Sequence, residues 1–195
     1  MFTGIITDTG IVSKASHTRL SVSARPALVK ALTRGASIAV DGACLTVVAK
    51  GKNSFSADIM GETMQRTNLG YLKAGHGVNL ELPATAASFL SGHIVQGHVD
   101  GVGTVERIQK KSADRVLAIG IAPALTRYIV PKGSVTINGI SLTVIGGGKK
   151  NFSVGVIPHT WSATMLRDLA AGARVNIEVD VLAKYIEKVI KKRKI

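Results

Sequence analysis

Polar and apolar residues alternate with a period of two along much of the chain. In SFSADI, Phe55, Ala57 and Ile59 fall on one face, the pattern of a strand buried on one side. The same reading predicts strands over 2–13, 20–24, 37–41, 44–50, 53–60 and 77–82, separated by turn-forming Gly, Asn and Asp. Pro26–Leu32 reads as a short helix with proline at its start, and a second is expected near Ala122–Val130. MQRTNLGYL and SATMLRDLA allow a helical turn or two each. The tail has a different period. In VDVLAKYIEKVIKKRK, Val181, Leu182, Tyr185, Ile186, Val189 and Ile190 form one stripe, opposite Lys184, Glu187, Lys188, Lys191 and Lys192. This is an amphipathic helix, and it either packs on its own chain or zips with copies of itself.

The strand pattern occurs twice. Residues 37 to 81 align without a gap on 134 to 178 at a constant offset of 97, through many identities and Val/Ile exchanges. The preceding GIITDTGIV (4 to 12) aligns on GHVDGVGTV (97 to 105) at an offset of 93, so the second copy carries four extra residues. Two homologous domains are predicted, 1–87 and 88–180, with LPATAASFL (82 to 90) as linker and a terminal helix over 181–195. Six short strands in fewer than about 90 residues predict a small closed barrel, which leaves no exposed edge.

The chain has 195 residues, 46% hydrophobic and 19% charged, the balance of a folded protein. No apolar run is long enough for a membrane helix, and MFTGIITDTG has none of the features of a signal peptide. Cys44 is the single cysteine, so no disulfide can form within the chain. The expected location is the cytoplasm. The net charge of +13 raises nucleic acid or a membrane surface as partners. The basic residues are scattered, however, except at the tail, and do not interleave with aromatics as in single-strand binders. Neither nucleic acid nor a membrane is therefore the expected partner.

SGHIVQGHVDG (91 to 101) concentrates two of the five histidines. Residues five apart lie on opposite faces of a strand and roughly 140° apart on a helix, so His93 and His98 do not form a zinc pair, and no metal is expected. His98 aligns with Ile5 of the first copy. A duplicated fold with imidazole in one copy only has two chemically unequal halves, and imidazole suits proton transfer near neutral pH. VDGACLTV aligns likewise on INGISLTV, setting Cys44 against Ser141, Asp41 against Asn138 and Thr46 against Thr143. As structure, each is a hairpin turn followed by a strand. As chemistry, they are two matched pockets, each with a thiol or hydroxyl and a threonine.

MFTGII, SIAVDGACLTV, TNLGYLKAGHGVNLE, GHIVQGHVDG, KGSVTINGISLTV and ARVNIEVD together resemble the riboflavin synthase family, over essentially the whole chain. The resemblance implies an all-β fold of two six-stranded Greek-key barrels with a C-terminal helix that joins three chains. It implies two molecules of 6,7-dimethyl-8-ribityllumazine bound between the N-terminal barrel of one chain and the C-terminal barrel of the next. One gives the other a four-carbon unit, forming riboflavin and 5-amino-6-(ribitylamino)uracil without a metal or organic cofactor. Carried over residue by residue, the N-barrel pocket comprises Gly4, Ile5, Ile6, Cys44, Leu45, Thr46 and the stretch Asp58, Ile59, Met60, Gly61, Glu62, Thr63. The C-barrel pocket comprises Gly97, His98, Val99, Lys132, Ser141, Leu142, Thr143 and the stretch Gly155, Val156, Ile157, Pro158, His159, Thr160. His98 is the expected general acid/base. Ser141, Thr143 and Cys44 would position substrate and move protons, with Ser37 a further candidate; His93 is expected to be structural.

The chain departs from the family pattern at Asp41 and Asn138, where the acid and the amide stand in exchanged barrels. An amide cannot act as a base, so a catalytic acid in the C-barrel would be missing here. The linker also lacks the Arg and Gly-Gly expected before the histidine motif. Two other readings remain: a non-catalytic antenna protein of the same superfamily that holds a lumazine or flavin, and a basic binding module.

Overall fold

The computed structural model describes residues 1–192. Residues 193–195, the end of the expected terminal helix, lie outside the described residues. The first domain contains β1 (Asp8–Ala15), β2 (Arg19–Ser23), β3 (Ser37–Val40), β4 (Ala43–Lys50), β5 (Ser54–Asp58) and β6 (Gly77–Glu81). The second contains β7 (Gly101–Lys111), β8 (Asp114–Gly120), β9 (Ser134–Ile137), β10 (Ile140–Gly147), β11 (Asn151–Val156) and β12 (Arg174–Val179). Each set closes into an antiparallel barrel, in the order β1-β2-β5-β4-β3-β6 and its equivalent β7-β8-β11-β10-β9-β12. Strand β5 returns to lie beside β2, a Greek-key connection.

Alternation sets which side chains turn inward. Val22, Ile38, Val47, Phe55 and Leu80 fill one barrel, and Ile119, Val135, Val144, Phe152 and Ile177 fill the equivalent places in the other. Register shifts after Val12 and Val47 recur after Val105 and Val144. They are bulges of the kind that let a small sheet curl shut.

Among the described residues five helices decorate the barrels: α1 (Pro26–Ala31), α2 (Gly61–Arg66), α3 (Pro123–Thr126), α4 (Pro158–Ala163) and α5 (Val181–Lys192). Single 3₁₀ turns at Asn68–Tyr71 and Met165–Asp168 complete the two turn segments expected from sequence. Two boundaries differ from expectation. The helix expected to Val130 ends at Thr126, because Tyr128 and Ile129 donate to Leu125 and Thr126, three residues back, in the tighter 3₁₀ pattern. The first strand begins at Asp8 instead of residue 2, because Gly4, with φ at +76°, turns the preceding residues off the barrel.

Helix α5 sits with its polar face on its own chain. Glu187 accepts from the Tyr128 hydroxyl at 2.6 Å and pairs with Arg127, while Lys184 reaches Asp100. Its apolar stripe of Leu182, Tyr185, Ile186, Val189 and Ile190 is exposed. Of the two arrangements its pattern allowed, packing on its own chain engages the polar side and leaves the apolar side free. No described helix is long and apolar enough to cross a membrane.

The barrels meet across a buried polar seam with approximate two-fold symmetry. The β3–β4 and β9–β10 turns, Asp41-Gly42 and Asn138-Gly139, adopt positive φ throughout, as such two-residue turns require. They pack back to back, and a Cβ on Gly42 would lie 2.6 Å from the Gly139 nitrogen. Asn79 Nδ2 donates to the Asn138 carbonyl and Asn79 Oδ1 accepts from the Met165 amide. Its counterpart Asn176 does the reverse, donating to the Asp41 carbonyl and accepting from the Asn68 amide. Asn68 Nδ2 lies 3.0 Å from Asp41 Oδ2 and 3.3 Å from Asn138 Oδ1, bridging the two exchanged residues.

Burial pushes the Asp41 carboxyl up to about 6, against the opposing hydrogen bonds from Asn79 and Asn68. The folded chain therefore holds this proton more tightly than the unfolded chain. The resulting stability is complete below the ordinary carboxylate range near pH 4 and is lost as pH rises through 6. Urea unfolding of the wild type and Asp41→Asn tests this. The two stability-versus-pH curves should diverge between pH 4 and 6 by on the order of 1–3 kcal/mol, with the steeper decline in the wild type.

Candidate functional site

On β4, Cys44 is half-buried and Thr46 exposed on the outer face of the barrel, while Leu45 between them enters the core. Ser37 on β3 and Asp58 on β5 both lie opposite Thr46. Strand β10 repeats the arrangement, with Ser141 and Thr143 outward, Leu142 inward and Ser134 opposite Thr143. The candidate surface is thus the outside of each barrel, and the side chains of Leu45 and Leu142 do not reach it.

The structure corrects the expected grouping of the pocket residues. The segments that lead into β1 and β7 cross between barrels. The Cys44 amide donates to the Gly97 carbonyl at 2.9 Å, and the Ser141 amide donates to Gly4 at 2.8 Å. Val99 packs on the first core and Ile6 on the second. Gly97, His98 and Val99 therefore border the N-terminal barrel, and Gly4, Ile5 and Ile6 the C-terminal one. The contact needs glycine: at +76° and +79°, a Cβ on Gly4 or Gly97 would sit 2.6 Å from that of Ser141 or Cys44 respectively. Two equivalent carboxylates hold the crossing. Glu81 accepts from the amides of Thr3 and Gly4, and Glu178 from those of Gln96 and Gly97. Burial raises the pKa of both acids. Phe2 and Val95 pair across the join and pack with Ala39 and Cys44. Repeat alignment could not show this, since it matches residues between copies and is silent on which copy they touch.

The crossing builds a cavity of about 460 Å³ beside the N-terminal barrel, within the size range of small-molecule sites. Cys44, Gly97, His98 and Val99 line it with Glu62 and Thr63 of α2. His98 is exposed. Arg66, Asp100 and Lys184 also line it; none of the three was among the residues expected at a site.

The other expected residues divide by face. Met60 and Ile157 are exposed apolar side chains beside the α2 and α4 starts, Ile59 and Val156 are core, and Gly61, Gly155, Pro158 and His159 are exposed, with Thr160 half-buried. Asp58 is held below the usual carboxylate range by the hydrogen bond from Arg19 at 2.6 Å. Lys132 is exposed, and its amide donates to the Val144 carbonyl just past Thr143.

His93, expected to be structural, lies against a candidate site residue. Its Nδ1 is 2.8 Å from Ser141 Oγ. Its Nε2 is buried with no hydrogen-bond partner among the described residues. Burial lowers the imidazole pKa, partly offset by Asp180, which favours the neutral ring at pH 7. The ring and the Ser141 hydroxyl are thus paired, with donor and acceptor set by the ring's tautomer.

Two tandem barrels that repeat one outer face, with a small-molecule-sized cavity at the first, define a class of ligand-binding protein, and the family model described as lumazine binding domain matches residues 3–83 and 96–180. The riboflavin synthase of Mycobacterium tuberculosis (strain ATCC 25618 / H37Rv) is 44% identical over 199 residues, covering 98% of both chains. That of Bacillus amyloliquefaciens is 42% identical, over 98% of this chain and 91% of the relative. The crystal structure of LumP complexed with 6,7-dimethyl-8-(1'-D-ribityl) lumazine superposes with a TM-score of 0.84 at 26% identity, over 92% of this chain and 99% of that one. LumP complexed with riboflavin gives 0.86 at 27%, with the same coverage. The chain belongs to the riboflavin synthase family, a family of enzymes built from two lumazine-binding domains.

Cys44, the sole cysteine, reports on the crossing. Gly97→Ala should displace the lead-in from Cys44 and speed its reaction with an aromatic disulfide reagent several-fold; Gly4→Ala, acting at Ser141, should not. Equal rates in the two variants would contradict the crossed arrangement.

Proposed function

We propose that the chain catalyses the dismutation of two molecules of 6,7-dimethyl-8-ribityllumazine to riboflavin and 5-amino-6-(ribitylamino)uracil. The reading rests on one observation above others: two equivalent outer strand faces that differ in their reactive groups, Cys44 with His98 at the cavity of one and Ser141 with His93 at the other. A reaction that uses one compound both as donor and as acceptor of a four-carbon unit needs two related sites with unequal chemistry. The transfer balances between the two substrate molecules and draws on no outside oxidant.

The C7 methyl group of the lumazine is acidic because its anion is delocalised over the ring. His98, exposed at the cavity rim, is suited to move that proton. Cys44, Thr46 and Ser37 line one outer face and hold one ring; Ser141 and Thr143, with Ile5 and Ile6 beside them, hold the other. Backbone groups of the crossed segments recognise the uracil-like edge, and the hydroxyls bind the ribityl chain. Holding two rings face to face supplies most of the acceleration, since positioning alone can be worth about 7–11 kcal/mol.

The two outer faces lie on separate barrels, and in this reading a second chain brings the two rings face to face. The exposed stripe of α5 supports a homotrimer through that helix, with each site shared by the N-terminal barrel of one chain and the C-terminal barrel of the next. In this arrangement Asp41 and Asn138 lie in the seam within a chain, away from the pockets, and their exchange leaves the chemistry intact. The proposed location is the cytoplasm.

The similarity to LumP favours a second reading, a protein that binds lumazine without turning it over. Incubation of the purified protein with 6,7-dimethyl-8-ribityllumazine, followed by chromatography, separates the two. The expected result is equal amounts of riboflavin and the pyrimidine, with the rate reduced by about 10²–10⁴-fold in His98→Ala. Tight binding with no product would favour the second reading, and undiminished turnover in His98→Ala would remove the histidine from its role.

A further inference from the structure

The two crossing segments are not anchored alike. At the first, Thr7 precedes β1 and its amide donates to Leu80 at 3.3 Å. At the second, the equivalent position is Asp100, whose amide donates to Ile177 at 2.8 Å and whose carboxylate is fully engaged. Asp100 Oδ2 accepts from the Val179 amide at 2.9 Å, and Oδ1 meets Lys184 Nζ of α5 at 2.6 Å. The side chains of Lys184 and Asp100 are 30% and 18% exposed. Among the described residues this is the only ion pair with both partners less than a third exposed. Solvent and salt therefore screen it less than the surface pairs.

Its place in the fold gives the pair its consequence. Asp100 lies two residues from His98, where the crossing segment enters β7, and Asp100, Lys184 and His98 all line the 460 Å³ cavity. On the other side of Asp100, Glu178 holds the amides of Gln96 and Gly97, and its charge is influenced by both Asp100 and Lys184. One cation on α5 thus sits over the two carboxylates that fasten the segment bearing His98. The first copy is followed by no helix; the cation at its entry to β1 is Arg25 of the same barrel, an exposed side chain that pairs with Asp8 and donates to the Thr7 carbonyl.

We infer that Lys184 is a positioning residue: through Asp100, the terminal helix fixes the segment 96–99 against the N-terminal barrel and sets the place of His98. The 2–6 segment is fastened from its own barrel, by Arg25 at Thr7 and Asp8, and has no tie to α5, so docking of α5 controls one of the two pockets and not the other. The catalytic consequence rests on the reading of His98 as the proton-transfer group; the mechanical tie does not.

Two measurements on the full chain test this, with Lys184→Met, Asp100→Asn, the double variant and Lys184→Arg. Amide hydrogen exchange reads the tie directly. In Lys184→Met, exchange at Gln96 and Gly97 should rise about tenfold while Thr3 and Gly4 stay unchanged, and Lys184→Arg should restore protection. Steady-state turnover of 6,7-dimethyl-8-ribityllumazine reads its use. The turnover number should fall about tenfold with KM within about twofold, as expected for a displaced catalytic group, and the double variant should be no worse than the poorer single one. Unchanged exchange at Gln96 and Gly97, or equal loosening at Thr3 and Gly4, would overturn the inference. If the wild type forms no riboflavin, the proposed reaction fails, while the exchange result still decides the tie.

Discussion

The Cys44 amide donates to Gly97 and the Ser141 amide to Gly4, and through these two bonds each barrel is completed by a segment of the other. Everything near the pockets depends on this exchange. It brings His98 to Cys44, and it puts Ile5 and Ile6 beside Ser141. It also demands glycine at both crossing points, where the two backbones approach too closely for a Cβ. Neither barrel has a complete pocket rim of its own, so the pair behaves as one unit in spite of its origin as a repeat.

The seam between the barrels serves the same end. Asn79 and Asn176 satisfy backbone groups of the opposite copy that would otherwise be buried without partners. A fully connected network of this kind specifies one relative placement of two rigid bodies. Asp41 and Asn138 belong to that network, and Asn68 donates to both. Exchanging acid and amide across an approximate two-fold axis keeps one carboxylate and one amide in contact with the same donor. Such an exchange relocates charge within the seam.

Much of the architecture was legible in the chain. Apart from the first strand of each copy, the period-two alternation gave the strands to within a few residues, and the constant offset of 97 gave the two repeats. The thiol, hydroxyl and threonine positions followed from the same alignment, because alternate residues on one strand share a face. What sequence could not carry was contact between copies. Gly97 aligns with Gly4 but touches Cys44, and a repeat alignment contains no term for that. His93 was hidden for a related reason: its partner, Ser141, is 48 residues away. Lys184 reads on a helical wheel as one lysine of a solvated face, and only the fold brings it to Asp100. The first strand was overextended because residues 2–6 have strand-like composition, yet they pair across to the second domain and not within their own.

A crystal structure with bound 6,7-dimethyl-8-ribityllumazine is the most direct test of the crossed pockets. The ligand at the N-terminal barrel should lie in the cavity beside Cys44 and meet the backbone of Gly97, His98 and Val99, and the ligand at the C-terminal barrel should meet Gly4, Ile5 and Ile6. A ligand that contacts Cys44 together with residues 4 to 6, or that leaves residues 97 to 99 untouched, would contradict the exchange on which the site is built.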